Sequence, residues 1–429
     1  MQFFQLKSLE QFTSIFSDSF WTETVLQLVQ AEPAIEYAIS TLSLVHENRL
    51  KESVGVVYDQ ECALRHYNRA IKALTQNASQ TSARSMEIQI VSCLIFYNFE
   101  ALVGHLGTAS ELFGHGIRLL NDILRKEGRP TPPIPSVNDT LLTILLTQFH
   151  RLHLQINIVF RGPTLIPLPY NTQSESIFKT PFDSLEDAKI AMEHLCLSFM
   201  QSTLCAADKE LNTKRLNTWN LAFDSLLRRT PHTPATLRAI AQLRSLERRL
   251  QIELKSFPDK ADTPNTNGTT PSPSSNTSST TGPPDSPEIR RLHNEIVDFS
   301  AIALSNPSSS SNAAELVFTP DVAIIPALCS VIKSCHDPHI RRKALNLCKS
   351  ANRIEGVWPS ALAARIMERY IESVEGGFDG SLSAGTELSG EQTKSLNVSV
   401  VVHDVDKEAY VRYACHGEDE GLEETVVWT

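Results

Sequence analysis

The chain has 429 residues, many for one ordinary domain and few for three, so its length predicts one large body or two modest ones. A hydrophobic share of 41% before glycine is counted excludes a chain that is disordered throughout. Against 49 Asp and Glu stand 39 Lys and Arg, and the resulting charge of −10 excludes a polycation that binds nucleic acid over its whole surface.

The opening MQFFQLKSLEQF has no basic n-region, and Lys7 and Glu10 interrupt any export signal. The longest uncharged apolar stretch, 88–99, lies between Glu87 and Glu100 and falls short of the ~20 residues that span a bilayer. The expectation is an intracellular chain with no membrane contact. Eight cysteines (62, 93, 196, 205, 329, 335, 348, 415) never form C-x-x-C. They read as small buried hydrophobes in a reducing compartment.

Helix starts are written in proline. Pro33, Pro234, Pro287, Pro320 and Pro338 each follow Glu, Thr, Ser or Asp, because a first-turn proline gives up an amide that has no intrahelical partner. Ser184 and Asp187 resemble a capping box. Behind these starts apolar residues recur at helical spacing: Ile35, Ile39, Leu42 and Val45; Leu64, Tyr67, Ile71 and Leu74; Leu112, Phe113, Ile117, Leu120 and Leu124. Leu237, Ile240, Leu243, Leu246 and Leu250 make another stripe, as do Ile289, Leu292, Ile296 and Phe299, and then Leu362, Ile366, Tyr370 and Val374. The run 86–103 is apolar nearly all round and predicts a central buried helix. LNVSVVV at 396–402 is the one clear strand signal.

These patterns predict an all-α fold: a large antiparallel bundle-like body with a disordered insertion and a weakly structured acidic tail. The expected domains are a helical body over 1–257, a linker over 258–287, a second helical block over 288–375 packed on the first, and a low-order tail over 376–429. The linker holds 7 Pro, 6 Ser and 7 Thr with no aromatic residue, too little apolar surface to offset the entropy of ordering.

Chemistry is hard to find in the sequence. The glycines of GHLGTASELFGHG (104–116) fit no phosphate-binding loop and suit close helix packing better. The nucleophile elbow G-x-S-x-G is missing. His150 and His153 stand at i and i+3, and Cys329, Cys335, His336 and His339 form a second candidate metal set. Neither has the paired partners of a recognised site, so both read as ordinary core or surface residues. Arg228-Arg229, Arg248-Arg249, Arg290-Arg291 and Arg341-Arg342-Lys343 read as solvated helix faces with ion pairs, the last also as a short nuclear-import signal. No catalytic, cofactor, metal or DNA-binding residue is assigned. The segment 403–429 carries eight acids and two bases among Tyr410, Tyr413 and Trp428. It reads first as a tail packed back on the body, second as an activation segment that docks on coactivators.

Three stretches together resemble the regulatory domain of fungal six-cysteine zinc-cluster transcription factors. They are 20–50 followed by ALRHYNRAIKAL (63–74); EIQIVSCLIFYNFEALVGHLGTASELFGHGIRLL (87–120); and 318–375, with PDVAIIPAL, CHDPHIRRKAL and R-x-E-G-x-W in order. The resemblance implies an all-helical regulator of a metabolic or secondary-metabolite pathway, at work in the nucleus with the cytoplasm as alternative. Implied partners are a zinc-cluster factor or coactivator, a small-molecule effector, and a homodimer or heterodimer mate. Members of that group carry a six-cysteine DNA-reading module, whereas the first cysteine here is Cys62. The expectation is therefore a regulator that works through protein contacts without gripping DNA. The alternatives are a zinc-cluster factor truncated at its N-terminus and a helical pathway enzyme or ligand-binding protein.

Overall fold

A computed structural model describes residues 1–13, 15–52, 60–77, 83–126, 141–159, 181–201, 206–256, 286–305, 316–321, 324–375, 396–403, 408–415 and 421–427. The body is all-α. A π-helical turn at Phe4–Ser8 runs into α1 (Leu9–Phe12), and a second at Phe20–Thr24 runs into α2 (Val25–Ala31). Then come α3 (Pro33–Glu52), α4 (Gln60–Asn77), α5 (Ala83–Val103), α6 (Leu106–Lys126), α7 (Leu141–Val159), α8 (Leu185–Gln201), α9 (Ala206–Leu227), α10 (Pro234–Lys255) and α11 (Pro287–Leu304). A small sheet is threaded through the rest: β1 (Val317–Thr319), α12 (Ile324–Ser334), α13 (Pro338–Ser350), β2 (Arg353–Glu355), β3 (Trp358–Pro359) and α14 (Ser360–Glu375). Strand β2 lies parallel to β1 and antiparallel to β3. Three more strands, β4 (Leu396–His403), β5 (Glu408–Cys415) and β6 (Gly421–Val427), form an antiparallel meander.

Side-chain caps explain four of the helix starts. Thr233 accepts from the Thr236 amide before α10, Ser286 from Ile289 before α11, and Asp337 from His339 and Ile340 before α13. Each such cap contributes about 1 kcal/mol. Ser184 and Asp187 exchange both bonds of the expected box, at 3.0 and 3.1 Å. Pro320 is the exception. It follows β1 in a turn, and α12 begins only at Ile324. Pro320 marks a strand end, where a residue with no amide to donate is equally tolerated.

The apolar stripes converge on three cores. The first gathers α1–α7 around Trp21, Ile39, Val91, Phe113 and Phe149, and takes in Phe318 and Ile354 from far along the chain. The second gathers α11–α14 and the meander, the third α8–α10 around Trp219 and Phe223. Residues 1–257 thus contribute to all three, and β1 and β2 of the later block tie it to the first. Helix α5 is long and apolar enough to cross a membrane over Arg84–Val103, but it is packed inside the first core against α3, α6 and α7. Its end is closed by Gly104 at φ 97°, where a side chain would be strained, and by the Arg49 guanidinium on the Leu102 and Val103 carbonyls at 3.0 Å.

One expectation needs adjusting. The tail holds more order than its composition suggests: the lone strand signal at 396–402 is β4 of the meander. Val411 and Val426 bury themselves in the second core against α14, and Trp428 lies outside the described residues. The predicted linker 258–287 lies outside them as well, apart from Ser286 and Pro287.

Candidate functional site

The three cores meet where the N-terminal segment crosses the bundle. Phe12 belongs to the first core, and Phe16, four residues later, to the third. Between them and β1 lies a half-buried network of charged and polar side chains.

Asp18 anchors it. Its carboxylate accepts from the Phe20 amide at 3.0 Å, from Gln148 Nε2 at 3.0 Å, and from Arg151 Nη1 at 2.8 Å. Arg151 turns its Nε to Glu193 on α8 at 3.1 Å. Lys189, one turn before Glu193, reaches Asp321 beyond β1 at 2.5 Å and sits over the Phe16 ring at 4.7 Å. Burial alone would lower the pKa of Arg151. The charges of Glu193, Asp18 and Asp321 outweigh it and raise the value. Two cations and three carboxylates therefore hold α7, α8, the N-terminal segment and the β1–α12 turn in one register. Such clusters are better at fixing one arrangement than at adding stability.

A second knot joins the same segment to β1. His46 on α3 is fully buried, and desolvation holds its pKa down at about 4. Its Nε2 contacts Gln11 Oε1 at 3.0 Å and its Nδ1 contacts Ser8 Oγ at 2.8 Å. Gln11 Oε1 also accepts from the Phe318 amide at 2.7 Å, while Gln11 Nε2 donates to the Leu316 carbonyl at 3.2 Å. An amide oxygen only accepts, so the neutral imidazole carries its proton on Nε2 and Ser8 donates to Nδ1.

The R-x-E-G-x-W element explains itself here. Glu355 is buried and its Oε2 accepts from the Ile324 and Ile325 amides at 3.0 and 2.9 Å, capping α12 with a charge at its positive end. Arg353 balances that carboxylate at 2.8 Å. Gly356, at φ 53°, donates its amide to the Thr319 carbonyl at 2.9 Å, and Trp358 fills the second core. The pattern is a structural clasp.

The sequence-level metal candidates fall elsewhere. His150 and His153 are buried on α7, and α8 brings His194 close enough to interact with His150. Desolvation lowers all three, His150 to about 3 and His194 to about 4. Sequence spacing could not reveal His194, because only the packing of α7 on α8 joins them. Cys329 and Cys335 are buried, whereas His336 and His339 are exposed, so that set does not converge. Among the described residues no group of three His, Cys, Asp or Glu is placed to hold a metal ion. Thiol chemistry is disfavoured at three of the cysteines: burial pushes Cys93 up to about 12 and Cys196 to about 11, and Cys348 is raised by its contact with Cys329 and by burial.

The basic runs at 290–291 and 341–343 are ion-paired, mostly on exposed helix faces, as their pattern predicts, with Arg341 the buried exception. Arg341 is buried with its Nε on the Cys335 carbonyl, Arg342 pairs with Glu375, and Lys343 pairs with Asp298 at 2.6 Å.

A surface cleft of about 430 Å³ opens beside Phe16, lined by Ile15, Leu226, Arg229, Thr236 and Ala239 where α8 begins, α9 ends and α10 begins. Its size is that of a small-molecule site. Comparison with known proteins finds no match for this chain among protein-family models, curated proteins or solved structures.

Proposed function

We propose that the chain is the helical regulatory unit of a transcription regulator, acting on a DNA-binding partner or coactivator by protein contact. The observation that supports this reading best is where the three family-like stretches lie. The stretch 20–50 builds α2 and α3, 87–120 builds α5 and α6, and 318–375 places Phe318 and Ile354 in the same core. Parts of all three stretches thus meet in the first core, while α12–α14 of the last pack in the second. The net charge of −10 and the ion-paired state of Arg342 and Lys343 favour protein over DNA as the thing touched.

The test is a reporter assay with residues 1–429 fused to a foreign DNA-binding head, with and without the last 27 residues. Altered transcription from the head's own promoter is expected. A fusion indistinguishable from the head alone, together with specific DNA retardation by the unfused chain, would overturn the reading. The cleft beside Phe16 favours one addition: a small-molecule effector bound between α8, α9 and α10.

A further inference from the structure

Helix α4 carries a two-part outer surface that the fold leaves uncovered. Its inner face is spent on the first core through Ala63, Tyr67, Ala70 and Leu74. On the outer face Leu64 is 50% exposed and Ile71 39% exposed. They are seven residues apart and therefore lie on one line along the helix. Arg65, Arg69 and Lys72, all exposed, follow that line roughly 80–160° round the axis. The three cations span about 10 Å and make no ion pair among the described residues. Glu61 stands a turn before Arg65, and Glu36 on α3 lies near enough to His66 to interact with it.

This is unusual in a molecule with ten surplus negative charges. Elsewhere the exposed cations are largely spoken for, as with Lys7 and Glu10, Arg125 and Asp122, Arg369 and Glu372. We infer that α4 docks an acidic amphipathic protein segment, one whose carboxylates recur at helical spacing beside aliphatic or aromatic side chains. The carboxylates would meet Arg65, Arg69 and Lys72, and the apolar residues would cover Leu64 and Ile71. Charge complementarity selects this partner: three cations are too few to hold a nucleic acid or an anionic bilayer against the repulsion of the remaining surface. The aliphatic line, wasted on a polyanion, has a use only with a partner that carries both kinds of side chain. The inference names a surface for the protein contacts proposed above, and its cellular meaning rests on that reading.

The full-length chain is titrated against a fluorescein-labelled 16-residue peptide with Glu at i, i+4 and i+7 and Leu or Phe between them, read by anisotropy. A control peptide carries Gln for Glu. Saturable binding is expected, weakened at least tenfold by the control peptide, by 0.5 M salt, by Arg65→Glu with Arg69→Glu, and by Leu64→Ser with Ile71→Ser. These positions are exposed, and circular dichroism checks that the variants fold. Equal binding by wild type and the charge-reversed variant overturns the inference. So does no binding up to about 1 mM peptide, or binding only to phosphatidylserine vesicles. A reporter that responds although the peptide does not bind would fault this surface alone. Peptide binding with a silent reporter would fault the regulatory reading instead.

Discussion

Arg151 on α7 and Asp18 in the N-terminal segment are 133 positions apart and joined at 2.8 Å, with both side chains largely withdrawn from water. The contact decides how the first and third cores meet, because Arg151 also holds Glu193 on α8. Removing one partner of a buried pair strands the others without compensation. Arg151→Ala is therefore expected to cost about 3 kcal/mol. The triple change Arg151→Met, Asp18→Asn, Glu193→Gln should cost less than the single one, since it leaves no charge unpaired. Urea midpoints for both variants check the order.

Gly116 and Gly114 lie two residues apart on α6 and should respond oppositely to alanine. A Cβ at Gly116 would stand 2.2 Å from the Phe149 ring, which is stacked on Phe113 with centroids 5.6 Å apart. One of these aromatic residues must move, at a cost of about 1–3 kcal/mol. At Gly114 the nearest atom is the far end of Arg118 at 3.7 Å, an ordinary contact. Gly114→Ala should then gain up to about 1 kcal/mol of helix propensity. Thermal midpoints that shift the same way for both would contradict the close packing of α6 on α7.

Much of this architecture could be read before the structure. Helix stripes, proline starts and the glycine-dotted stretch follow from local rules, and local rules survive folding. Pro320 was misread because a proline after Thr looks the same at a strand end as at a helix start. The ion cluster was invisible: Asp18, Arg151, Lys189, Glu193 and Asp321 share no spacing, and only tertiary packing assembles them. The tail was misjudged for another reason. Its acids disguise an alternation that the register makes plain, with Val402, Ala409 and Val426 at paired positions across the meander. The R-x-E-G-x-W element was noticed as a resemblance, and its physics, a cap for α12 and a left-handed turn, needed coordinates.

Acid should weaken the fold through its histidines. Burial holds His46 and His194 at about 4 and His150 at about 3, against an ordinary value of 6.5. Between roughly pH 6.5 and 4 the unfolded chain binds protons at these sites and the folded chain does not. The stability is fully present above that window and lost as the pH falls through it. Each histidine contributes a slope of up to about 1.4 kcal/mol per pH unit. Replacing His150 by Asn should lower the proton uptake on unfolding by about one near pH 5, measured as the pH dependence of urea stability. An unchanged slope would mean that His150 already titrates in the folded chain.

The meander should come away from the body without unfolding it. A small three-stranded sheet is stable only with an apolar face or a helix to pack against, so β4–β6 depend on what they cover. Here that is α14 beside β6, α6 beside β4, and the second core through Val411 and Val426. Val426→Asp removes about 1.5–3 kcal/mol of burial and places a carboxylate at a buried position of the second core. The helices α11–α13 bury their own faces against one another and need no strand to do so. Hydrogen exchange in the variant should thus lose protection over 408–427 and on α14, while α5 and α6 keep theirs and the helical circular dichroism is unchanged. If protection falls evenly across every helix, the sheet is part of the cooperative core, and its detachment cannot serve as a separate step.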